Sequence, residues 1–430
     1  MPTKGDKDFG DLALKHKFAD EKEIQRALEE QKRLEKEGAL TTLDRLVVEL
    51  GIMNPFQVEF LQEILGRKVI YCPGCTAKYN VFKYPGDSRV KCRKCGEMIE
   101  VPKRFSEMNS EERLARAEAG KPQYETKAFM GKVIGGYRIL EQMGSGEMGI
   151  VFKAKQLSLD RVVALKVLPV EMTRDKKSVD RFLREAKSAG KLQHPNIVQV
   201  YDIGETGGLY YYSMEFIEGR SLASVLPEKK PMDLGEASRI ILQIAKALAH
   251  AHRSGVLHKD IRPESILINE ENVAKLADLG MSGGADPGKS SMAGRGHMGG
   301  TPAYLSPEQL ANIRNASPAA DVYSLGGTFY RMVTGKEPFT GPNILAMMKA
   351  ILEETPAPPC EANPAVPKEL SDIIEKMMAK EVGERFHAAD EVVEALTKFG
   401  ATAGSGRHKA QGRKSSRRWG LSRKSKKDQD

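Results

Sequence analysis

A chain of 430 residues, 40% hydrophobic and 29% charged, has room for one large domain of about 250 residues with smaller modules beside it. No run of 18 or more apolar residues occurs, so no membrane-spanning helix is expected; Met1–Lys7 lacks the apolar core of a secretory signal, so a cytoplasmic protein is expected. The net charge of +9 is local, because residues 401–430 carry ten Lys and Arg against two Asp and leave the rest near neutral.

Residues 1–67 read as a helical hairpin module with a weak internal repeat at an offset of 34, in which Leu12, Phe18 and Ile24 match Leu46, Ile52 and Val58. Each copy is a short helix, a turn and a longer helix. Asp20 and Asn54 are placed as N-caps, Glu23 completes a capping box with Asp20, and Pro55 suits a first helical turn. Two such hairpins can bury each other's apolar stripes. The module carries no acid–base pair or metal pattern, so a docking or scaffold role for an unknown partner is expected.

Residues 68–102 hold Cys72, Cys75, Cys92 and Cys95 in a C-x2-C-x16-C-x2-C spacing. Two such knuckles can point four thiolates at one tetrahedral centre, and Val81, Phe82, Val90, Ile99 and Val101 supply apolar strand positions around it. The pattern looks like a zinc ribbon. Four sulfur ligands leave no open position, so a structural Zn2+ is expected, stapling a unit too small to bury much core. Residues 103–136 read as a charged linker with a short helix at Ser110–Gly120.

From Tyr137 the chain changes character. Met143, Gly144, Ser145, Gly146, Glu147, Met148, Gly149, Ile150 and Val151 form a G-x-G-x-x-G-x-V turn that continues as a strand, unlike a dinucleotide-binding turn, which opens a helix. Val163-Ala164-Leu165-Lys166 follows on a second strand, and Glu185 lies on the next helix. An apolar strand then runs into Met214-Glu215-Phe216-Ile217. Further on, His258-Lys259-Asp260-Ile261-Arg262-Pro263-Glu264-Ser265 precedes Leu267, and Ala277-Asp278-Leu279-Gly280 comes eighteen residues after Asp260. Gly300-Thr301-Pro302 through Pro307-Glu308, Asp321 and Arg385 complete the series.

In this order the motifs resemble those of protein kinases, and residues 137–399 are identified as a bacterial Hanks-type (eukaryotic-like) serine/threonine kinase domain. The resemblance implies an α+β, two-lobed protein-kinase fold using ATP and Mg2+ to phosphorylate Ser or Thr on protein substrates. It implies Asp260 as the base at the acceptor hydroxyl, with Lys166 paired to Glu185 at the phosphates. Arg262 stands where the family has a Lys reaching the transferred phosphate, and Thr301 would bond the catalytic loop. Met214 is the implied gatekeeper, the backbone of Glu215 and Ile217 meets the adenine edge, and Val151, Ala164 and Leu267 sandwich its ring. Asp278 is the implied magnesium ligand. Ser265 replaces the Asn that ligates a second magnesium in the family, and this substitution keeps a nucleotide-binding pseudokinase, or a scaffold, as the alternative reading. Lys259 and Leu279 replace the usual Arg and Phe.

The activation segment between Asp278 and Glu308 is rich in Gly. Residues 400–430 read as a disordered basic tail suited to anionic lipid or nucleic acid, with Ser415, Ser416, Ser422 and Ser425 among its cations.

Overall fold

The computed structural model describes residues 4–36, 41–53, 55–72, 75, 77–84, 88–101, 129–146, 149–173, 176–226, 230–279, 302–311, 315–341 and 344–405. The expected helix at 110–120, the loop residues Glu147 and Met148, residues 280–301 of the activation segment with Thr301, and the tail from residue 406 lie outside them.

Four helices come first: α1 (Lys4–Lys15), α2 (Glu21–Lys36), α3 (Leu43–Glu49) and α4 (Pro55–Ile64). The capping box at α2 forms as its sequence suggests, with Glu23 N donating to Asp20 Oδ1 at 2.8 Å and Asp20 N to Glu23 Oε2 at 3.1 Å. Of the six repeat positions, Phe18, Ile24, Leu46 and Val58 are buried, whereas Leu12 and Ile52 are half-buried. The module does not stop at its own core. Helix α4 packs onto the large domain, where Gln57, 4% exposed, donates from Nε2 to the carbonyls of Leu310 and Ala311 at 2.7 Å each.

Two small hairpins follow: β1 (Val69–Tyr71) with β2 (Lys78–Asn80), and β3 (Arg89–Lys91) with β4 (Met98–Glu100). Each cysteine pair sits at the turn of its own hairpin, and the two turns share one design: Cys72 N donates to Ala77 O at 2.9 Å, and Cys92 N to Glu97 O at 2.7 Å.

The expected linker gives way before its end. Phe129 packs on Phe152, and β5 (Val133–Ile134) pairs with the next strand, so residues 129–136 belong to the sheet and the linker to residue 136 is corrected. The apolar Phe129 and Ile134 explain this, because they bury against the sheet rather than stay in water. That antiparallel sheet has the order β5, β6 (Tyr137–Gly146), β7 (Gly149–Gln156), β8 (Arg161–Val167), β10 (Leu209–Glu215), β9 (Val200–Thr206). Helix α5 (Lys176–Ala189) covers one face through Val179, Phe182 and Ala186.

The second lobe is helical. Helix α6 (Leu234–Arg253) starts at an Asp233 cap, whose Oδ1 accepts from Glu236 N at 3.0 Å, and buries Ala237, Ile240, Ile241, Ile244 and Leu248 at helical spacing. A three-stranded sheet of β11 (Gly219–Ser221), β12 (Ile266–Asn269) and β13 (Ala274–Leu276) lies against it. Short α7 (Pro307–Ala311), central α8 (Pro318–Thr334), α9 (Ile344–Glu353), α10 (Lys368–Met377) and α11 (Ala389–Ser405) complete the lobe. Helix α11 runs to Ser405, past the boundary at residue 399 expected from sequence. Helix α8 is buried almost all round, hence its near-absence of charge apart from Asp321 and Arg331.

Candidate active site

The cleft between the lobes gathers most of the residues that the motifs single out. Lys166 on β8 donates from Nζ to Glu185 Oε1 on α5 at 2.9 Å, and both side chains are almost wholly buried. Asp278 Oδ1 lies 3.9 Å from the same ammonium. Burial works against the lysine's charge, but the negative charges of the Glu185 and Asp278 carboxylates outweigh it and raise the pKa, so Lys166 stays a cation. Val151 pairs with Lys166 and Ala164 with Met214 across neighbouring strands, and Leu267 is half-buried on β12 in the other lobe.

The glycine turn is built for close approach. Gly149 has φ +135°, and a Cβ there would meet the Val167 carbonyl oxygen at 2.6 Å, so no other residue fits without moving the strand. Its neighbours Gly144, Ser145 and Gly146 end β6, and Ile150 is buried behind the turn.

The catalytic loop hangs on two buried side chains. Asp321 on α8 accepts the amides of Lys259 and His258 at 2.6 and 2.8 Å, and His252 Nε2 at 2.9 Å. His258 Nδ1 accepts from Asp260 N at 3.3 Å, which leaves Nε2 to donate to Ala277 O at 2.8 Å. One imidazole thus ties the Asp260 backbone to the residue before Asp278. Arg262 Nε stands 3.6 Å from Asp260 Oδ2, placing a cation beside the candidate base. Ser265 is 4% exposed, and its hydroxyl turns back on the loop: Oγ donates to Arg262 O at 2.9 Å and accepts from Arg262 N at 3.1 Å. At the hinge, Glu215 pairs with Lys275 at 2.8 Å, Glu215 N donates to Gln199 O, and Ile217 is half-buried.

Glu308 and Arg385 meet as a two-pronged pair at 2.7 and 2.8 Å, as the resemblance implies. Gln309 was not legible from the motifs, yet its Nε2 donates to Lys259 O at 2.9 Å and joins α7 to the catalytic loop. Its only signal was its place directly after Glu308. Tyr212, which donates to Glu185 Oε1 at 2.8 Å, carried no signal beyond being one of three successive tyrosines on an apolar strand.

The family model described as Protein kinase domain matches residues 137–396. The chain belongs to that family. Among curated relatives, the kinase domain is 37% identical over 266 residues to the serine/threonine-protein kinase PrkC of Bacillus subtilis, covering 61% of this chain and 40% of that protein. It is 35% identical over 260 residues to the serine/threonine-protein kinase PknB of Mycobacterium tuberculosis, covering 60% and 41%. The chain thus spans about two-fifths of the length of these relatives. The solved PknI kinase domain of M. tuberculosis aligns with a TM-score of 0.49 at 26% identity, covering 63% of this chain and 98% of that one.

Away from the cleft, the sulfurs of Cys72, Cys75, Cys92 and Cys95 all lie within 4.8 Å of one another, with Cys72–Cys95 and Cys75–Cys92 at 3.5 Å. Tetrahedral sulfur around zinc at about 2.3 Å needs edges of about 3.8 Å, so the donor set fits. The thiols oppose one another electrostatically. The Tyr79 hydroxyl, 3.1 Å from Cys92 Sγ, draws that thiol down to about 5. The Glu97 amide pulls Cys95 down as well, but neighbouring sulfurs push it up to about 12. Four thiolates cannot coexist there without a cation to balance them.

Proposed function

We propose that the chain is a serine/threonine protein kinase that transfers the γ-phosphoryl group of ATP to hydroxyls of protein substrates. The observation that carries this reading is the buried Lys166–Glu185 pair with Asp278 at 3.9 Å, facing a loop that holds Asp260 through His258. In this reading Asp260 orients the acceptor hydroxyl and takes its proton, and Arg262 balances charge beside it. Lys166 grips the α- and β-phosphates, the turn from Met143 to Val151 covers them, and Met214, Glu215, Ile217, Val151, Ala164 and Leu267 receive the adenine. Magnesium would be held by Asp278 and would neutralise the phosphate oxygens as charge moves to the leaving group. Ser265, with its hydroxyl committed to Arg262, would reach a second ion only through water.

The serine/threonine form of acceptor is supported by Pro263-Glu264 directly after Arg262 and by the names of the relatives. The four cysteines hold structural zinc in this reading, residues 1–67 serve as an interaction module, and the basic tail contacts anionic lipid or nucleic acid. Among the described residues no helix is long and apolar enough to cross a membrane. A cytoplasmic location goes with the reading.

The Ser265 geometry favours one other reading, a nucleotide-binding pseudokinase. Phosphate transfer by the full chain with ATP and magnesium, against an Asp260→Asn control, separates the two. Transfer lost in the control supports the kinase, and ATP binding without transfer above the control supports the pseudokinase.

A further inference from the structure

Glu185 Oε1 accepts two buried hydrogen bonds, one from Lys166 Nζ at 2.9 Å and one from the Tyr212 hydroxyl at 2.8 Å. Tyr212 stands on β10 directly across from Lys166 on β8 and is 3% exposed. Its ring lies 5.1 Å from that of Phe182 on α5 and 5.6 Å from the Lys166 ammonium. Burial, with the Lys166 charge working against it, leaves the phenol pKa well above its usual 10, so the hydroxyl keeps its proton and donates. The second carboxylate oxygen, Oε2, is buried and has no hydrogen-bond partner among the described residues.

These contacts divide the work unequally. The ring fills space between the sheet and α5, which a phenylalanine would do as well. The hydroxyl adds a bond to the one oxygen on which Lys166 also depends. With Oε2 unpartnered, the carboxylate is oriented at Oε1 alone, and a single bond to a flexible lysine would let it swing. A second donor on a rigid strand fixes both the carboxylate and the helix that carries it.

We propose that Tyr212 is a positioning residue for the phosphate-binding pair: its hydroxyl ties Glu185 to the sheet and so holds Lys166 and α5 in place, by a tether lying wholly inside the first lobe. The role in turnover rests on the kinase reading above. The tether itself does not, and the test reads the two separately.

The experiment compares the full chain with Tyr212→Phe, which keeps the ring and removes only the oxygen. Hydrogen–deuterium exchange of residues 176–189 should be at least fivefold faster in the variant, with exchange in α6 unchanged. Where the wild type transfers phosphate, kcat should fall about tenfold while KM for the protein substrate stays the same. In a Glu185→Ala background, Tyr212→Phe should add no further acceleration of exchange, because the oxygen it holds is gone. Exchange in α5 equal to wild type would overturn the proposal whatever the activity, and so would the same acceleration in both backgrounds, since that is what loss of packing predicts. Faster exchange in Tyr212→Phe, with a wild type that transfers no phosphate, would uphold the tether and overturn only the kinase reading.

Discussion

Asp321 accepts the backbone amide of Lys259 at 2.6 Å, at a residue whose φ of +71° places it in the left-handed region. Such a conformation costs of order 1–3 kcal/mol at a non-glycine residue and persists only where its surroundings hold it. Here the holder is a fully buried carboxylate that also accepts His258 N and His252 Nε2. Asp321→Asn keeps the shape but turns an amide N–H toward a donor. It should destabilise the domain by about 2–4 kcal/mol, read by denaturant unfolding. Turnover should fall further than stability explains, because Asp260 follows the strained residue directly.

The cysteine cluster should bind one equivalent of zinc in the full chain, by metal analysis of protein purified under reducing conditions. Cys75→Ser should lose the ion and speed amide exchange in residues 69–101, leaving residues 137–396 as protected as before. Ligation requires thiolates, so zinc should be released as pH falls. Protein without zinc under these conditions would refute the assignment.

How much of this was legible in the sequence depends on how far apart the partners lie. Lys166, Glu185, Asp260 and Asp278 declare themselves because phosphoryl transfer fixes both their types and their order along the chain. Gln57 does not. Its partners are backbone carbonyls more than 250 positions away, which any residue could supply, so no side-chain pattern points to them. Tyr212 is hidden for a related reason: on a buried strand a tyrosine reads as core until the carboxylate at its tip is seen. The end of the linker is not legible because a two-residue strand at Val133–Ile134 is too short to show a period.

Gln57 spans from the helical module to the end of α7, whose last carbonyls have no partner within so short a helix. Gln57→Leu would leave two such carbonyls buried without this donor, at a cost of about 1–3 kcal/mol to docking. Exchange should quicken in residues 43–64 and 307–311 together, with the sheet of the first lobe unaffected. Faster exchange in the module alone would mean that α7 does not depend on it.

Arg385 is fully buried and spends its guanidinium on Glu308, on the carbonyls of Ala319, Ala379 and Lys380, and on the face of Tyr323 at 4.8 Å. Lysine offers no planar fork, so Arg385→Lys should cost nearly as much as Arg385→Ala, about 3–5 kcal/mol each by thermal or denaturant unfolding. A lysine variant as stable as wild type would show that charge alone suffices there.

Ser265 ends the short turn of the catalytic loop. Its hydroxyl makes two bonds to the Arg262 backbone, closing the turn that carries the candidate base and its neighbouring cation. Ser265→Ala should lose both bonds, about 1 kcal/mol each, and loosen the loop. Asparagine is longer by about one bond, roughly 1.5 Å, and octahedral magnesium tolerates little error in its ligand distances. An amide oxygen at that position could therefore reach an ion that the serine would reach only through water. The site is 4% exposed, so the larger side chain could also strain the core by about 1–3 kcal/mol, and thermal stability must be measured beside activity. The expected result is that Ser265→Asn raises kcat about tenfold or more, equivalent to about 1.4 kcal/mol of barrier, at a Tm equal to or below wild type. Asp260→Asn should abolish transfer in either background. If Ser265→Asn folds, binds ATP and turns over no faster at any magnesium or manganese concentration, serine is not what limits this site.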